Sequence, residues 1–283
     1  MFVPTTVNRR VDLTPTAQLR TVIPKLTHSA TGFIVGDPAY CPEDNIIQKV
    51  PDMSDLSAFS ITERWPAKDT SVIQLYSYPT PNGVKVSIAL EEMGLAYEPH
   101  LVTLADADVK SPAFLSLNPN NKIPAIIDPN GPAGPIGIFE SGAILLYLSE
   151  KTGKFIGRNA AEKAHITQWV MFQMGGLGPM LGQMGYFYKF AGKEIEDERP
   201  RNRYRDEAIR LLNVVDQQLE GQDWIAGDYS IADMAIAPWI NALEFYGTKE
   251  VVGYHDLKNV PQYVERFFAR PAVQKGRRIP DPS

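Results

Sequence analysis

The chain has 283 residues, enough for two small domains that each bury a hydrophobic core. Apolar residues make up 44% of it and charged residues 22%, as in an ordinary soluble globular protein. The formal net charge of −5, with no basic stripe interleaved with aromatic residues, argues against nucleic-acid binding. No apolar run is long enough to cross a bilayer and no signal-peptide segment follows Met1, so we expect a cytoplasmic protein without a membrane partner.

Cysteine and histidine usage narrows the chemistry further. The single cysteine, Cys41, excludes an internal disulfide and a Cys-x-x-Cys redox pair, and without a partner thiol we expect it not to be catalytic. The four histidines are scattered along the chain without the spacing of metal ligands. We therefore expect no metal site.

Residues 1–70 form the first segment, and prolines interrupt any periodic pattern in it. Phe33, Phe59 and Trp65 nevertheless make it more apolar than a linker needs to be. We predict an N-terminal arm over residues 1–70 that packs on the body of the protein.

The next stretch, residues 72–91, organises the chain. Residues 72–76 are β-branched and aromatic and predict a buried strand, and residues 78–83 have turn chemistry. Helical spacing of apolar residues begins at Val84. Backbone N–H groups at a helix start favour an anion, so a thiol bound there would be favoured as thiolate. Taken alone, Pro81-Asn82-Gly83 is also an ordinary structural turn.

The elements that follow complete a small mixed sheet with helices on both faces. They are a strand at 96–103, a helix at 113–117 capped by Ser111, strands at 125–127 and 136–139, and a helix at 142–150. Ser141 is the predicted N-cap of the last helix, and Gly153 is its predicted stop.

Beyond residue 153 the strand signal vanishes, and residues 154–283 predict an all-helical domain. A helix at 160–174 is expected to break at Gly175-Gly176. A long charged amphipathic helix at 201–220 follows. Ser230 and Asp233 then form a capping arrangement for the next helix, and shorter helices at 260–269 and 271–275 end the chain.

Several short motifs now stand in the order and spacing of one family. Residues 75–86 resemble the first βα unit of the glutathione transferases, residues 118–125 their loop with a cis-proline, residues 139–144 their γ-glutamyl pocket, and residues 230–233 their capping box. The resemblance covers residues 72–275. It implies a thioredoxin-like α/β domain over residues 71–153 and an all-α second domain that forms the second-substrate pocket. Residues 80–83 and 175–183 look like the Nu class, which includes bacterial disulfide-bond oxidoreductases and is similar to a yeast nitrogen-regulator prion protein.

The resemblance implies glutathione as a co-substrate and assigns residues to its site. Thr80 and Asn82 would be the catalytic pair, donating hydrogen bonds to the glutathione thiolate without acting as nucleophiles. The implied glutathione-binding residues are Lys122, Ile123, Pro124, Glu140, Ser141, Gln168 and Arg203, and the implied second-substrate pocket is Tyr186, Phe187 and Tyr188. Simple structural roles are open for several of them: an N-cap for Ser141, a solvated face for Arg203 and helix packing for the three aromatic residues.

The leading function is then a glutathione-dependent disulfide-bond reductase that uses two glutathiones by thiol–disulfide exchange on a small disulfide. One alternative is a glutathione S-transferase acting on an electrophile, or a glutathione-dependent thioether lyase. A further alternative is a non-catalytic glutathione-binding regulatory protein. The resemblance also implies a homodimer.

Overall fold

The computed structural model describes residues 56–282 of the chain. The expectations for Phe33 and Cys41, and most of the predicted arm, lie outside these residues. Within them, no helix is long and apolar enough to cross a membrane.

A four-stranded mixed sheet forms the centre of the first domain, in the order β2-β1-β3-β4. Its strands are β1 (Ile73–Ser77), β2 (Tyr97–Leu101), β3 (Ala125–Asp128) and β4 (Ile136–Phe139). β1 pairs parallel with β2 and antiparallel with β3, and β3 pairs antiparallel with β4. All five residues of β1 are buried, as a central strand covered on both faces requires. The predicted thioredoxin-like fold class is confirmed.

Helices cover both faces of this sheet. They are α2 (Pro81–Met93), α3 (Asp106–Val109), α4 (Pro112–Leu117) and α5 (Ser141–Thr152), preceded by the single-turn α1 (Ile61–Arg64). The predicted start of α2 at residue 84 is wrong, because Thr80 caps the helix and Pro81 fills its first position, where a missing N–H costs nothing. The predicted cap of α5 is also wrong by one residue: Glu140 is the N-cap and Ser141 is the first helical residue. The predicted stop of α5 at Gly153, in the left-handed conformation, is confirmed.

The rest of the described chain is helical, as predicted. Its helices are α6 (Ala160–Phe172), α7 (Gly178–Lys189), α8 (Glu198–Gln218), α9 (Ile231–Tyr246), α10 (Val260–Phe268) and α11 (Pro271–Gly276). The predicted break at Gly175-Gly176 is wrong, because a π-helical turn over Gln173–Leu177 carries α6 directly into α7. Neither glycine adopts the positive φ that would end a helix. The capping box of Ser230 and Asp233 is confirmed.

Helix α2 lies between the two domains and is fixed from several sides. It packs against α5 in its own domain and against α9 and α11 in the helical domain. A Cβ atom at Gly276 would lie 2.6 Å from the Cα atom of Ile88, so glycine is required where α11 meets α2. The Ser87 hydroxyl also donates to the Gly276 carbonyl at 2.7 Å. These contacts anchor the middle of α2 at the boundary between the domains.

The segment before β1 packs on the opposite side of the sheet. Leu56 and Ile61 are buried there in a second hydrophobic cluster. Trp65 joins this cluster edge-on to Phe114, with ring centroids 6.3 Å apart. Its indole N–H donates to the Leu101 carbonyl of β2 at 3.1 Å. Residues 56–65 therefore pack on the first domain rather than trailing from it.

We predict that this segment contributes to stability. Trp65→Ala should lower the free energy of unfolding by about 3 kcal/mol, because it removes a large packed ring and a hydrogen bond. Urea denaturation followed by circular dichroism measures the loss. Glu63→Ala, at an exposed position two residues earlier, is the control and should change the value by less than about 0.5 kcal/mol. An unchanged midpoint for Trp65→Ala would contradict the packing seen here.

Candidate functional site

The first turn of α2 is built by short-range contacts. The Thr80 hydroxyl oxygen accepts a hydrogen bond from the Gly83 N–H at 3.2 Å, which satisfies one of the free donors at the helix start. A Cβ atom at Gly83 would lie 1.9 Å from the Tyr78 carbonyl oxygen, so no side chain fits there. Asn82, between them in the turn, projects into the space between the domains and lines a pocket.

A hydrogen bond from the helical domain fixes the orientation of Asn82. The indole Nε1–H of Trp239, on α9, donates to the Asn82 Oδ1 atom at 2.8 Å. Because an indole N–H can only donate, the amide oxygen must face Trp239. The Nδ2 hydrogens are then directed away from Trp239 and can donate to a molecule in the pocket.

This pocket has a volume of about 350 Å³ and lies between the two domains. The first domain supplies a polar wall and the helical domain a wall of glycine, glutamine and large apolar residues. Its lining residues are Asn82, Asn118, Asn120, Lys122, Ile123, Pro124, Glu140, Ser141, Gln173, Met174, Gly178, Pro179, Gly182, Gln183 and Trp239. Six of the residues predicted for the site, from Asn82 to Ser141, are therefore brought together here.

Asn118 organises the loop that leads into β3. Its side chain is buried, accepts from the Asn120 N–H at 2.9 Å and donates to the Lys122 carbonyl. The Ile123–Pro124 peptide bond that follows is cis, as the family resemblance implies. The loop thereby brings Lys122, Ile123 and Pro124 to the pocket wall.

Glu140 and Ser141 form the wall at the start of α5. Glu140 has φ of 72° and ψ of 114°, a left-handed region that a residue with a Cβ atom seldom adopts. Such strain is retained where the surrounding structure enforces it, often at a functional site. Glu140 is exposed to the pocket, whereas Ser141 is buried and begins the helix. A carboxylate and a helix-start hydroxyl thus stand side by side.

Lys85 lies directly behind this wall and is completely buried. Its Nζ atom is 3.3 Å from the Ser141 hydroxyl oxygen and 3.5 Å from the Met174 sulfur, and it also donates to the Gln173 side-chain oxygen. Burial lowers the pKa of Lys85 to about 7, and the Glu140 carboxylate opposes this shift. The protein therefore holds a titratable ammonium group directly behind this wall of the pocket.

The helical domain opens the pocket by using glycines where its side chains need room. A Cβ atom at Gly178 would lie 2.3 Å from the Gln173 Nε2 atom, and one at Gly182 would lie 3.3 Å from the Trp239 ring. The π-helical turn brings Gln173 and Met174 towards the first domain, and α7 continues past the pocket. The glycine-rich pattern of residues 175–183 thus lets α7 pack beside Trp239 of α9 while leaving room for the pocket.

The structure does not bring the other predicted site residues to this pocket. Thr80 serves as the N-cap of α2 and is not part of the pocket wall. Gln168 and Arg203 are exposed on α6 and α8. Gln168 precedes Gln173 by five positions, roughly 140° around a helix, and so faces another direction. The aromatic residues Tyr186, Phe187 and Tyr188 lie beyond the pocket on α7, where Phe187 stacks on Tyr204 with centroids 5.5 Å apart.

Sequence reasoning missed several lining residues and the lysine behind them. Gln173, Met174, Pro179, Gln183 and Trp239 come from the helical domain, where the amphipathic pattern marks buried faces but not an opening. Lys85 did carry a signal, because it is a charged residue within a helix whose neighbours are all apolar or small. Among residues 56–282, no group of three or more histidine, cysteine, aspartate or glutamate side chains could hold a metal ion.

Comparison with known proteins identifies the family. The model of the glutathione S-transferase N-terminal domain matches residues 71–150, and that of the glutathione S-transferase C-terminal domain matches residues 182–271. The disulfide-bond oxidoreductase YfcG of Escherichia coli is 44% identical over 205 residues, which span 71% of this chain and 93% of that protein. The chain therefore belongs to the glutathione S-transferase family of enzymes.

Two solved structures resemble the chain throughout both domains. A glutathione transferase from Burkholderia graminis, with two glutathione molecules bound per subunit, is 58% identical, covers 83% of this chain and all of that one, and has a TM-score of 0.81. A glutathione transferase from Pseudomonas putida, with one glutathione disulfide bound per subunit, is 56% identical, covers 80% of this chain and 99% of that one, and has a TM-score of 0.79.

The buried Lys85 predicts an unusual pH dependence of stability. The unfolded chain holds this proton up to a pKa near 10.4, whereas burial lowers the pKa of Lys85 to about 7 in the folded protein. Between these values the unfolded state binds more protons, so this group makes the free energy of unfolding rise with pH. Relative to Lys85→Met, which lacks the group, the wild type should gain about 3 kcal/mol between pH 7 and pH 9.5. Urea denaturation of both proteins at the two pH values measures the change, and a difference that is independent of pH would contradict it.

Proposed function

We propose that the protein reduces small disulfides with two molecules of glutathione by thiol–disulfide exchange. The observation that carries the proposal is the pair of glutathione molecules held per subunit by the 58% identical relative. The glutathione disulfide held by the 56% identical relative is the expected product of such a reaction. The name of the Escherichia coli relative points to the same chemistry.

The pocket contains groups that match the γ-glutamyl end of glutathione. The Glu140 carboxylate would bind the ammonium group. The Ser141 hydroxyl, at the start of α5, would donate to the carboxylate, which the helix dipole also favours. The backbone of Ile123, beside cis-Pro124, would pair with the cysteinyl unit as an added strand does, with Lys122 at its rim.

The sulfur would then lie at the first turn of α2. There Asn82 Nδ2–H can donate to a thiolate, because Trp239 occupies the amide oxygen. Thr80 stays the proposed second donor although it does not line the pocket: its oxygen accepts from Gly83, which leaves the hydroxyl hydrogen for a sulfur that reaches the helix start. Hydrogen bonds to a charged acceptor are about twice as strong as neutral ones, so both would favour the thiolate over the thiol.

The reaction balances without a protein thiol. One glutathione thiolate attacks a sulfur of the substrate disulfide, which forms a mixed disulfide and releases one substrate thiolate that takes up a proton. The second glutathione thiolate attacks the glutathione sulfur of the mixed disulfide, which forms glutathione disulfide and releases the second thiol. Two glutathiones are oxidised and one substrate disulfide is reduced.

The remaining proposed contacts lie outside the pocket of this chain. Tyr186 and Phe187 follow Gln183 by three and four positions, so they share its helix face and can extend the pocket to a second substrate. For Gln168 and Arg203 no contact in the pocket supports a role, and their binding to glutathione stays a prediction. A homodimer and a cytoplasmic location also stay predictions.

Asn82 provides a direct test of thiolate stabilisation. Asn82→Ala should raise the pKa of bound glutathione and slow turnover by about tenfold near pH 7, because a donor to the thiolate is lost. The loss should shrink as pH rises and the thiolate forms without help. The pH–rate profile of kcat measures this, with Asn213→Ala on the exposed face of α8 as a control that should match the wild type. A loss independent of pH would show that Asn82 only positions glutathione.

The choice between reductase and transferase needs a comparison of substrates. With 2-hydroxyethyl disulfide, the wild type should consume two glutathiones per turnover and release glutathione disulfide. With 1-chloro-2,4-dinitrobenzene it should be at least about tenfold slower, because no Ser, Tyr or Cys of the common activating kind lies at the first turn of α2. Steady-state kcat/KM for both substrates measures the ratio, and faster conjugation would replace the reductase proposal with a transferase.

A further inference from the structure

The buried cluster under the pocket joins Lys85 to the proposed glutathione site. Lys85 comes from α2, Ser141 from α5, and Gln173 and Met174 from the π-helical turn. Ser141, Gln173 and Met174 all line the pocket, so the ammonium group lies one layer behind its wall. No carboxylate contacts Lys85 within the described residues, and its three contacts are a hydroxyl, an amide oxygen and a thioether.

An ammonium group buried without a counter-ion is costly for a protein to keep. The cost is reduced when an anion arrives nearby. A carboxylate bound at Ser141 would be close enough to reduce this cost, because the hydroxyl that would bind it is itself 3.3 Å from Lys85 Nζ. We propose that Lys85 is a positioning residue that holds the α-carboxylate of a γ-glutamyl ligand at Ser141 by directing the Ser141 hydroxyl and supplying the counter-charge. The inference rests on the proposed glutathione site.

The geometry explains how one proton would control this hydroxyl. A charged lysine carries donors only, so it must donate to the Ser141 oxygen. The hydroxyl hydrogen, which the Met174 sulfur accepts at 3.5 Å in this structure, can then turn to a ligand carboxylate, which is a much stronger acceptor. A neutral lysine has a lone pair that can accept the hydroxyl hydrogen, which removes the donor from the ligand. The charged state therefore favours a bound carboxylate in two ways, through the hydrogen bond and through the charge.

Lys85 is the ionisable side chain that contacts the Ser141 hydroxyl. The ionisable residues on the helices packed against α2 are Tyr147, Glu150, Lys151, Asp233, Glu244, Tyr246 and Lys275, with Glu140 at the cap of α5. Among them, the Glu140 carboxylate raises the pKa of Lys85 and partly offsets the effect of burial. The π-helical turn carries no ionisable side chain. Because burial places the pKa of Lys85 at about 7, an arriving carboxylate would raise it. Binding would then take up a proton, and affinity would fall as pH rises through this range.

The test uses S-methylglutathione, which has no thiol to ionise, and isothermal titration calorimetry from pH 6.5 to pH 8.5. Lys85→Met keeps the length of the side chain and removes its charge. Its dissociation constant should be about tenfold higher than that of the wild type at pH 6.5 and within about twofold at pH 8.5, where Lys85 has lost most of its proton in both free and bound protein. Titration of the ligand's own groups is common to both proteins and cancels in the ratio.

At pH 7.5, buffers with different ionisation enthalpies should reveal uptake of about half a proton by the wild type and none through this group in the variant.

Two further variants separate positioning from simple packing. Lys110→Met removes an exposed, ion-paired lysine of the first domain and should keep the wild-type pH dependence. In a Ser141→Ala background, Lys85→Met should cost much less than in the wild type, since its route through the hydroxyl is gone.

Several results would overturn the proposal. An equal dissociation constant for wild type and Lys85→Met, or a ratio that is constant with pH, would show that Lys85 has a structural role only. An undiminished effect in the Ser141→Ala background would exclude the route through that hydroxyl. Failure of the wild type to bind S-methylglutathione at any pH would refute the glutathione site itself, and the inference with it.

Discussion

The hydrogen bond between Trp239 and Asn82 joins the two domains at the site of the proposed chemistry. It spans 2.8 Å between a helix of the second domain and the first turn of α2 in the first domain. It determines which end of the Asn82 amide faces the pocket, because the indole can only donate. The packing of α2 against α5 in the first domain and against α9 and α11 in the second joins the two domains at the same place. The proposed thiolate stabilisation would thus depend on an interface rather than on one motif.

The polar groups near this interface are expensive to bury, and the structure satisfies them in different ways. Asn118 uses its amide to hold the loop before cis-Pro124. Asp233 accepts from the backbone N–H groups of Ile225 and Ser230 and holds the start of α9, the helix that carries Trp239. Lys85 has neutral partners only, and Glu140 retains a strained backbone. A ligand with both an ammonium and a carboxylate group would relieve the cost at Lys85 and stabilise the strained backbone at Glu140.

The sequence was sufficient to predict the fold because local signals were strong and agreed with one another. The capping motifs at Ser111 and Ser230, the buried run of β1 and the stop at Gly153 are all seen in the structure. The start of α2 was misplaced because its cap and first-turn proline were interpreted as a turn, whereas the error at Gly175-Gly176 arose where tertiary contacts override local preference. Gly175 and Gly176 are helix breakers by propensity, yet the close meeting of α5 with the π-helical turn keeps the chain helical there: a Cβ atom at Gly142 would lie 2.8 Å from Met174.

The candidate site was only half predictable from the sequence, because one of its two walls depends on tertiary packing. Asn82, Lys122, Ile123, Pro124, Glu140 and Ser141 lie in loops and helix starts of the first domain, where motif and position coincide. The opposite wall depends on how α7 and α9 pack, and residue spacing along a helix does not reveal which buried face borders an opening. Lys85 stands out as a charged residue among apolar neighbours, but the sequence does not reveal its partners, because they are 56 and 88 residues away in the chain.

A crystal structure of the protein grown with glutathione tests the central claim most directly. We predict that the sulfur of one glutathione lies within hydrogen-bond distance of Asn82 Nδ2, while Trp239 keeps its bond to Asn82 Oδ1. The γ-glutamyl group should lie between Glu140 and Ser141, and a second glutathione should place its sulfur beside the first. A sulfur bound away from α2, or an Asn82 amide turned so that its oxygen faces the sulfur, would contradict the proposed role of this interface.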